Sequence, residues 1–141
     1  MHHVAIMNPS WKLIPKIISG EKSIESRWYR TKRTPWNRIK KGDAVFFKNS
    51  GAPVLARADV CDIMQFVIRG ACDAEDIILN YGKEICLVEN DPSLWHAIPR
   101  YCILVRLGHP CAVSMPFHIN KKGFGCGAAW LTIPDIATIA L

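Results

Sequence analysis

The stretch AVFFKNSGAPVLARADVCDIMQF, residues 44–66, limits the possible folds more than any other part of the chain. Two runs of apolar and β-branched residues flank Asn49-Ser50-Gly51, and so short a turn returns the second run antiparallel to the first. Further strand-like runs occupy HHVAIMN at residues 2–8, SIESRWYR at 23–30 and YCILVRLGHPCAVSMPFHI at 101–119, with a final strand or mixed segment in NKKGFGCGAAWLTI at 120–133. Strands joined by short turns argue for a mixed or antiparallel barrel rather than a doubly wound parallel sheet, so the expected class is α+β.

Helical character is confined to three places. In SWKLIPKIISG, Trp11, Ile14 and Ile18 recur at helical spacing. Asn8 or Ser10 can cap its start and Gly20 its end, while Pro15 implies a kink or a late start. CDAEDIILNYG is acidic near its beginning and closes on Gly82, and NDPSLWHAI reads as a short helix with Pro92 in its first turn. At 141 residues, half of them hydrophobic and one fifth charged, the chain has the size and balance of one globular domain spanning 1–141.

No apolar run reaches the roughly 20 residues that cross a bilayer, and the first residues lack a basic-then-apolar order, so a cytoplasmic protein is expected. Six scattered cysteines read as reduced and largely buried. His109-Pro-Cys111 lacks the His-x-Glu and Pro-Cys-x-x-Cys partners of a zinc deaminase, and no metal or cofactor is expected.

Charge is distributed unevenly. Residues 1–50 carry 11 Lys/Arg against 3 Asp/Glu, a net +8, whereas residues 51–100 carry 4 against 8, a net −4. An excess of this kind is the electrostatic footprint of a polyanion binder, and it also arises from lysines that serve solubility alone. Within Arg27 to Lys41, the cations Arg27, Arg30, Lys32, Arg33 and Arg38 are interleaved with Trp28, Tyr29 and Trp36. Such interleaving suits single-stranded or loop RNA, since cations neutralise phosphates and aromatic faces accept unstacked bases. Trp28 alternates with the apolar face and reads as core; Trp36 reads equally as a stacking platform or as packing. Lys48 adds a further cation. In NKKGFGCG, Lys121 and Lys122 precede three closely spaced glycines, a sequence that can either cradle a phosphate or make a tight turn.

The residues after the first helix are the most specific. Gly20-x-Lys22-x-x-Glu25-x-Arg27 opens a strand in which alternation places Glu25 and Arg27 on one face, with Lys22 at its mouth. This motif resembles the signature of the ASCH domains, relatives of the PUA-like barrels, and GDAVFFKNSGAPVLARADV is similar to that family's second and third strands. The resemblance implies a small barrel with flanking helices and a basic cleft beside the first helix, accommodating RNA or a nucleobase derivative. The family includes RNA-binding modules, a ribonuclease, and an amidohydrolase that deacylates N4-acetylcytidine with a lysine and a threonine of this motif and a glutamate elsewhere. Lys22 matches that lysine, and Glu25 stands where that branch has its threonine. Binding of RNA or a modified nucleoside in a basic cleft formed by Lys22, Glu25, Arg27 and Lys48, with Lys121 and Lys122 as further candidates, is thus the leading expectation, and hydrolysis by an amidohydrolase or ribonuclease through Lys22 and Glu25 is the alternative. A basic adaptor surface for an acidic protein partner is a third reading.

Overall fold

The computed structural model describes residues 1–87 and 98–141. The short helix expected around Pro92 falls outside the described residues. Six strands form one mixed sheet: β1 (His2–Met7), β2 (Ile24–Tyr29), β3 (Ala44–Asn49), β4 (Val54–Val67), β5 (Tyr101–Phe117) and β6 (Trp130–Ile133), in spatial order β2-β5-β4-β3-β1-β6. Only β1 and β3 run parallel; the Asn49–Gly51 turn joins β3 to β4 as an antiparallel hairpin. The sheet curls into a half-barrel with β2 and β6 as its edges.

Strand alternation sorts the core. Ala5, Met7, Val45, Phe47, Ala56, Ile103 and Val105 face the concave side, where helix α1 (Leu13–Ser19) inserts Leu13, Ile14 and Ile17. Val4, Phe46, Val54, Leu131 and Ile133 face the other way and are covered by Phe124, Ile136 and Ile139 from the last quarter of the chain. Helix α2 (Ala71–Ile85) lays Ile77 and Ile85 against Ile24, Cys102 and Leu104. Residues 101–107 are apolar almost without interruption because both faces of this part of β5 are covered.

Local chemistry explains three departures from expectation. Pro9–Trp11 forms a separate 3-10 turn capped by Asn8, Lys12 is left-handed, and α1 begins late. Pro15 thereby falls in the first turn, where a missing N–H leaves no hydrogen bond unmade. The buried stripe of α1 is consequently Leu13, Ile14 and Ile17, and Ile18 is exposed. Helix α2 runs through Gly82 and ends at left-handed Cys86. A glycine inside a helix costs about 0.5–1 kcal/mol, which burying Ile85, worth about 1.5–3 kcal/mol, outweighs. Of the six cysteines only Cys102 is buried; Cys72, Cys111 and Cys126 are exposed, and all six are free thiols. Cys72 lies in the first turn of α2, Cys111 on the outer part of β5 and Cys126 in a turn, places where apolar neighbours in sequence do not bring burial.

Two features lead to predictions. A Cβ on Gly108 would stand 2.2 Å from Cys61 Sγ, where β5 crosses β4. Gly108→Ala is therefore expected to lower unfolding free energy by about 1–3 kcal/mol, and Cys61→Ala in the same chain to recover most of it, as read by urea denaturation. The fully buried His3 accepts a hydrogen bond at Nδ1 from the Trp130 indole (3.1 Å), and its Nε2 lies 2.8 Å from Asp43 Oδ2. Indole nitrogen only donates, so Nδ1 is the acceptor and Nε2 carries the proton. Desolvation lowers the His3 pKa below 6.5, with Asp43 opposing it. A folded-state pKa below the unfolded one means that stability is full above pH 6.5 and is lost as pH falls through the folded value. Denaturation midpoints should decline on acidification below that pH, and His3→Gln should be less stable at neutrality with a flatter profile.

Candidate functional site

The site starts from the way α1 ends. Gly20, with φ of 84°, takes the left-handed cap that L side chains avoid, and the Lys22 amide returns to Lys16 O at 2.9 Å. This sharp turn buries the Lys22 side chain just ahead of β2. In β2, Glu25 and Arg27 pair with Val105 and Ile103 of β5, so they share the concave face with the main core. A period of two on an edge strand thus carries a carboxylate and a guanidinium into the mouth of the half-barrel.

Lys22 is 2% exposed and Glu25 4%. The Lys22 ammonium donates to Ile24 O at 3.0 Å and to Ile85 O at the end of α2, and stands 3.8 Å from Glu25 Oε2. A cation on the last carbonyls of α2 also meets the negative end of its dipole. Burial lowers the Lys22 pKa, and the Glu25 charge acts against that shift. On the other side of Glu25, Arg27 Nε lies 3.4 Å from Oε1 without hydrogen-bond alignment. The Arg27 guanidinium reaches across the open seam of the sheet to Ala129 O (3.2 Å) and Ile6 O (3.4 Å) and lies 5.1 Å from the Trp130 ring centroid. It therefore ties edge strand β2 to β1 and to the segment leading into β6.

These three charges border a cavity of about 190 Å³, which Trp11, Trp28, Tyr29 and Cys86 also line. Glu25 Oε2 is buried there and has no hydrogen-bond partner among the described residues. Tyr29 donates its hydroxyl to Thr34 O at 3.2 Å, and burial raises its phenol pKa against the influence of Arg27. Trp28, read as core, packs against the α2 cluster and also borders the cavity, with its indole N–H on Ser26 Oγ at 3.0 Å.

The remaining candidates are dispersed. Lys32 and Arg33 line a second, wider hollow of about 510 Å³ that meets the first at Tyr29 and is bounded opposite by Phe124, Cys126 and Gly127. Lys121 braces this glycine-rich loop through a hydrogen bond to Ala128 O at 3.3 Å, and exposed Lys122 lines neither hollow. Arg30 and Arg38 are exposed and also line neither. Lys48 is buried, shares the convex side with Phe46, and donates to Asn49 O at 3.1 Å; burial, then Lys121, lowers its pKa. It is not brought to the Lys22–Arg27 cavity. Trp36 packs edge-on against Tyr101, ring centroids 5.1 Å apart, which makes it a packing residue here rather than an open stacking face. Sequence reasoning missed Trp11, Cys86 and the Ile85 carbonyl, because only the tertiary fold brings them to Lys22. Among the described residues no three His, Cys, Asp or Glu side chains converge as a metal site requires, and no helix is long and apolar enough to cross a membrane.

This architecture, a curled mixed sheet with flanking helices, is the α+β fold of an ASCH protein of known structure. The crystal structure of the ASCH protein from Zymomonas mobilis aligns with a TM-score of 0.64 at 18% identity, covering 97% of this chain and 90% of that one. A single-residue mutant of the same protein aligns equally well, covering 93% of its chain. At that identity the likeness is one of fold. No family model and no curated protein matches the sequence.

The buried charges make a stability prediction. Lys22→Met leaves the Ile24 and Ile85 carbonyls without this donor and Glu25 without its nearest ammonium, so a loss of about 3–5 kcal/mol is expected. Urea denaturation of Lys22→Met, Glu25→Leu and the double variant should give a double-mutant loss well below the sum of the singles. Strict additivity would mean that the two charges do not depend on each other.

Proposed function

We propose that the Lys22–Glu25–Arg27 cavity binds a nucleobase bearing an exocyclic amino group, presented by a nucleoside or by single-stranded RNA. The observation that carries this reading is that buried Glu25 lines a small cavity while its Oε2, 3.8 Å from the Lys22 ammonium, has no hydrogen-bond donor among the described residues. An unsatisfied buried acceptor costs about 1–3 kcal/mol, more when charged, and a ligand N–H relieves that cost. A carboxylate is the acceptor suited to the N4 amino group of cytosine. A volume of about 190 Å³ fits one heterocycle and falls short of the pockets of about 300–1,000 Å³ that take drug-sized ligands. Trp11, Trp28 and Tyr29 offer aromatic surface to a flat ring, and the basic N-terminal third supplies phosphate attraction when the base belongs to a strand.

A carboxylate that accepts from cytosine N4 repels the O4 of uracil at the same place. Calorimetry should therefore find cytidine bound at least about tenfold more tightly than uridine, in line with about 1–3 kcal/mol for correct base readout. Glu25→Gln, able to donate as well as accept, should narrow the ratio. Equal affinity of the parent protein for both nucleosides would sink the proposal.

Hydrolysis of an acyl group on that amino nitrogen is a second reading, favoured by one observation: Lys22 is a desolvated amine with a lowered pKa at the cavity wall. Release of cytidine from N4-acetylcytidine, abolished in Lys22→Arg, is its expected signature; an intact substrate after prolonged incubation removes it.

A further inference from the structure

We infer that the second hollow, between Lys32-Arg33 and the glycine-rich loop, holds a phosphate group attached to the nucleoside whose base occupies the first, so that the preferred ligand is a nucleotide rather than a free nucleoside. This rests on the nucleobase reading of the Lys22–Arg27 cavity and adds the chemical class of the ligand. The two hollows share Tyr29, and Trp130 borders the second while its ring lies under the Arg27 guanidinium. Arg27 and Tyr29 are thus the wall between a base-sized chamber and a wider one. None of the residues lining the wider chamber is acidic, and two of them, Lys32 and Arg33, are exposed cations.

Opposite them stands a backbone suited to an anion. Gly123, Gly125 and Gly127 have φ of 92°, 86° and 81°, a left-handed series that side chains beyond glycine rarely adopt. Among the described residues no acceptor takes the amides of Gly125, Cys126 and Gly127. Successive turn amides beside cations form the kind of concavity that receives phosphate oxygens. The loop is fixed rather than left to adapt: Lys121 holds Ala128 O at 3.3 Å, Arg27 holds Ala129 O at 3.2 Å, and the Ile6 amide donates to the same Ala129 oxygen at 2.9 Å. Arg27 therefore positions the loop of the wider chamber while bordering the smaller one. The Lys32 ammonium, 5.8 Å from the Tyr101 ring centroid, is held on the rim by a weak aromatic contact that a phosphate outcompetes.

Two free thiols make the chambers separately readable. Cys86 lines the smaller and Cys126 the larger, whereas Cys72 and Cys111 are exposed and line neither. The test measures iodoacetamide alkylation rates at each cysteine by peptide mass spectrometry, with cytidine, 5′-cytidine monophosphate or 3′-cytidine monophosphate present, alongside calorimetric affinities. Expected are slowing at Cys86 by all ligands that fit the base chamber, and slowing at Cys126 by one or both monophosphates and not by cytidine. Rates at Cys72 and Cys111 should stay constant. The better monophosphate should bind about tenfold more tightly than cytidine, the yield of one or two charge-assisted contacts. Lys32→Ala/Arg33→Ala, both changes on the surface, should collapse that ratio towards unity. Protection of Cys86 without protection of Cys126, or equal affinities for nucleotide and nucleoside, overturns the phosphate assignment and leaves the base reading standing. Protection of Cys126 alone contradicts the base reading, and protection of neither overturns both.

Discussion

The structure depends on one buried carboxylate placed between two cations. Glu25 cannot occupy the concave face of β2 as a lone anion, because desolvating an isolated charge costs far more than any single contact returns. Lys22 on one side and Arg27 on the other make its burial tolerable, and each cation has structural work of its own. The Lys22 ammonium ends α2 by taking the Ile85 carbonyl, and the Arg27 guanidinium bridges the open seam to Ile6 and Ala129. Three side chains from six residues of sequence thereby hold a helix, an edge strand and a loop in register.

The same arrangement manages a liability of open sheets. An edge strand offers unpaired backbone groups to other chains, and inward-pointing charges are among the devices that discourage such pairing. In β2 the charges point inward and Arg27 spans the gap to the opposite edge, so the seam is closed by side-chain hydrogen bonds to backbone carbonyls instead of by a ladder. A seam closed in this way leaves space beside it that a continuous ladder would fill. The cavity of about 190 Å³ next to Glu25 is that space.

What could be read from the chain is local. The Asn49–Gly51 hairpin follows from turn chemistry, the late start of α1 from Pro15, and the shared face of Glu25 and Arg27 from a period of two. The sequence is silent where partners are distant: Lys22 meets Ile85 across 63 residues, and Arg27 meets Ala129 across 102. Lys48 illustrates a second limit. Both Phe46 and Phe47 beside it are buried, so β3 has no polar face to betray which side Lys48 takes, and only the covering segment after β5 sends it to the convex side. Trp36 illustrates a third, since its loop lies among charges yet folds back on Tyr101. The likeness of fold to the Zymomonas mobilis ASCH protein extends over nearly the whole chain, although the sequence patterns that pointed there, residues 20–27 and 42–60, lie in its first half.

The central claim is that Glu25 Oε2, though ion-paired with Lys22, is kept without a hydrogen-bond donor so that a ligand can supply one. A crystal structure of the protein soaked with cytidine tests it most directly. The account predicts the base inside the Lys22–Arg27 cavity with its N4 nitrogen about 2.7–3.2 Å from Glu25 Oε2. A cytidine bound elsewhere, or a cavity in which an ordered side chain or backbone amide already satisfies that oxygen, would contradict it.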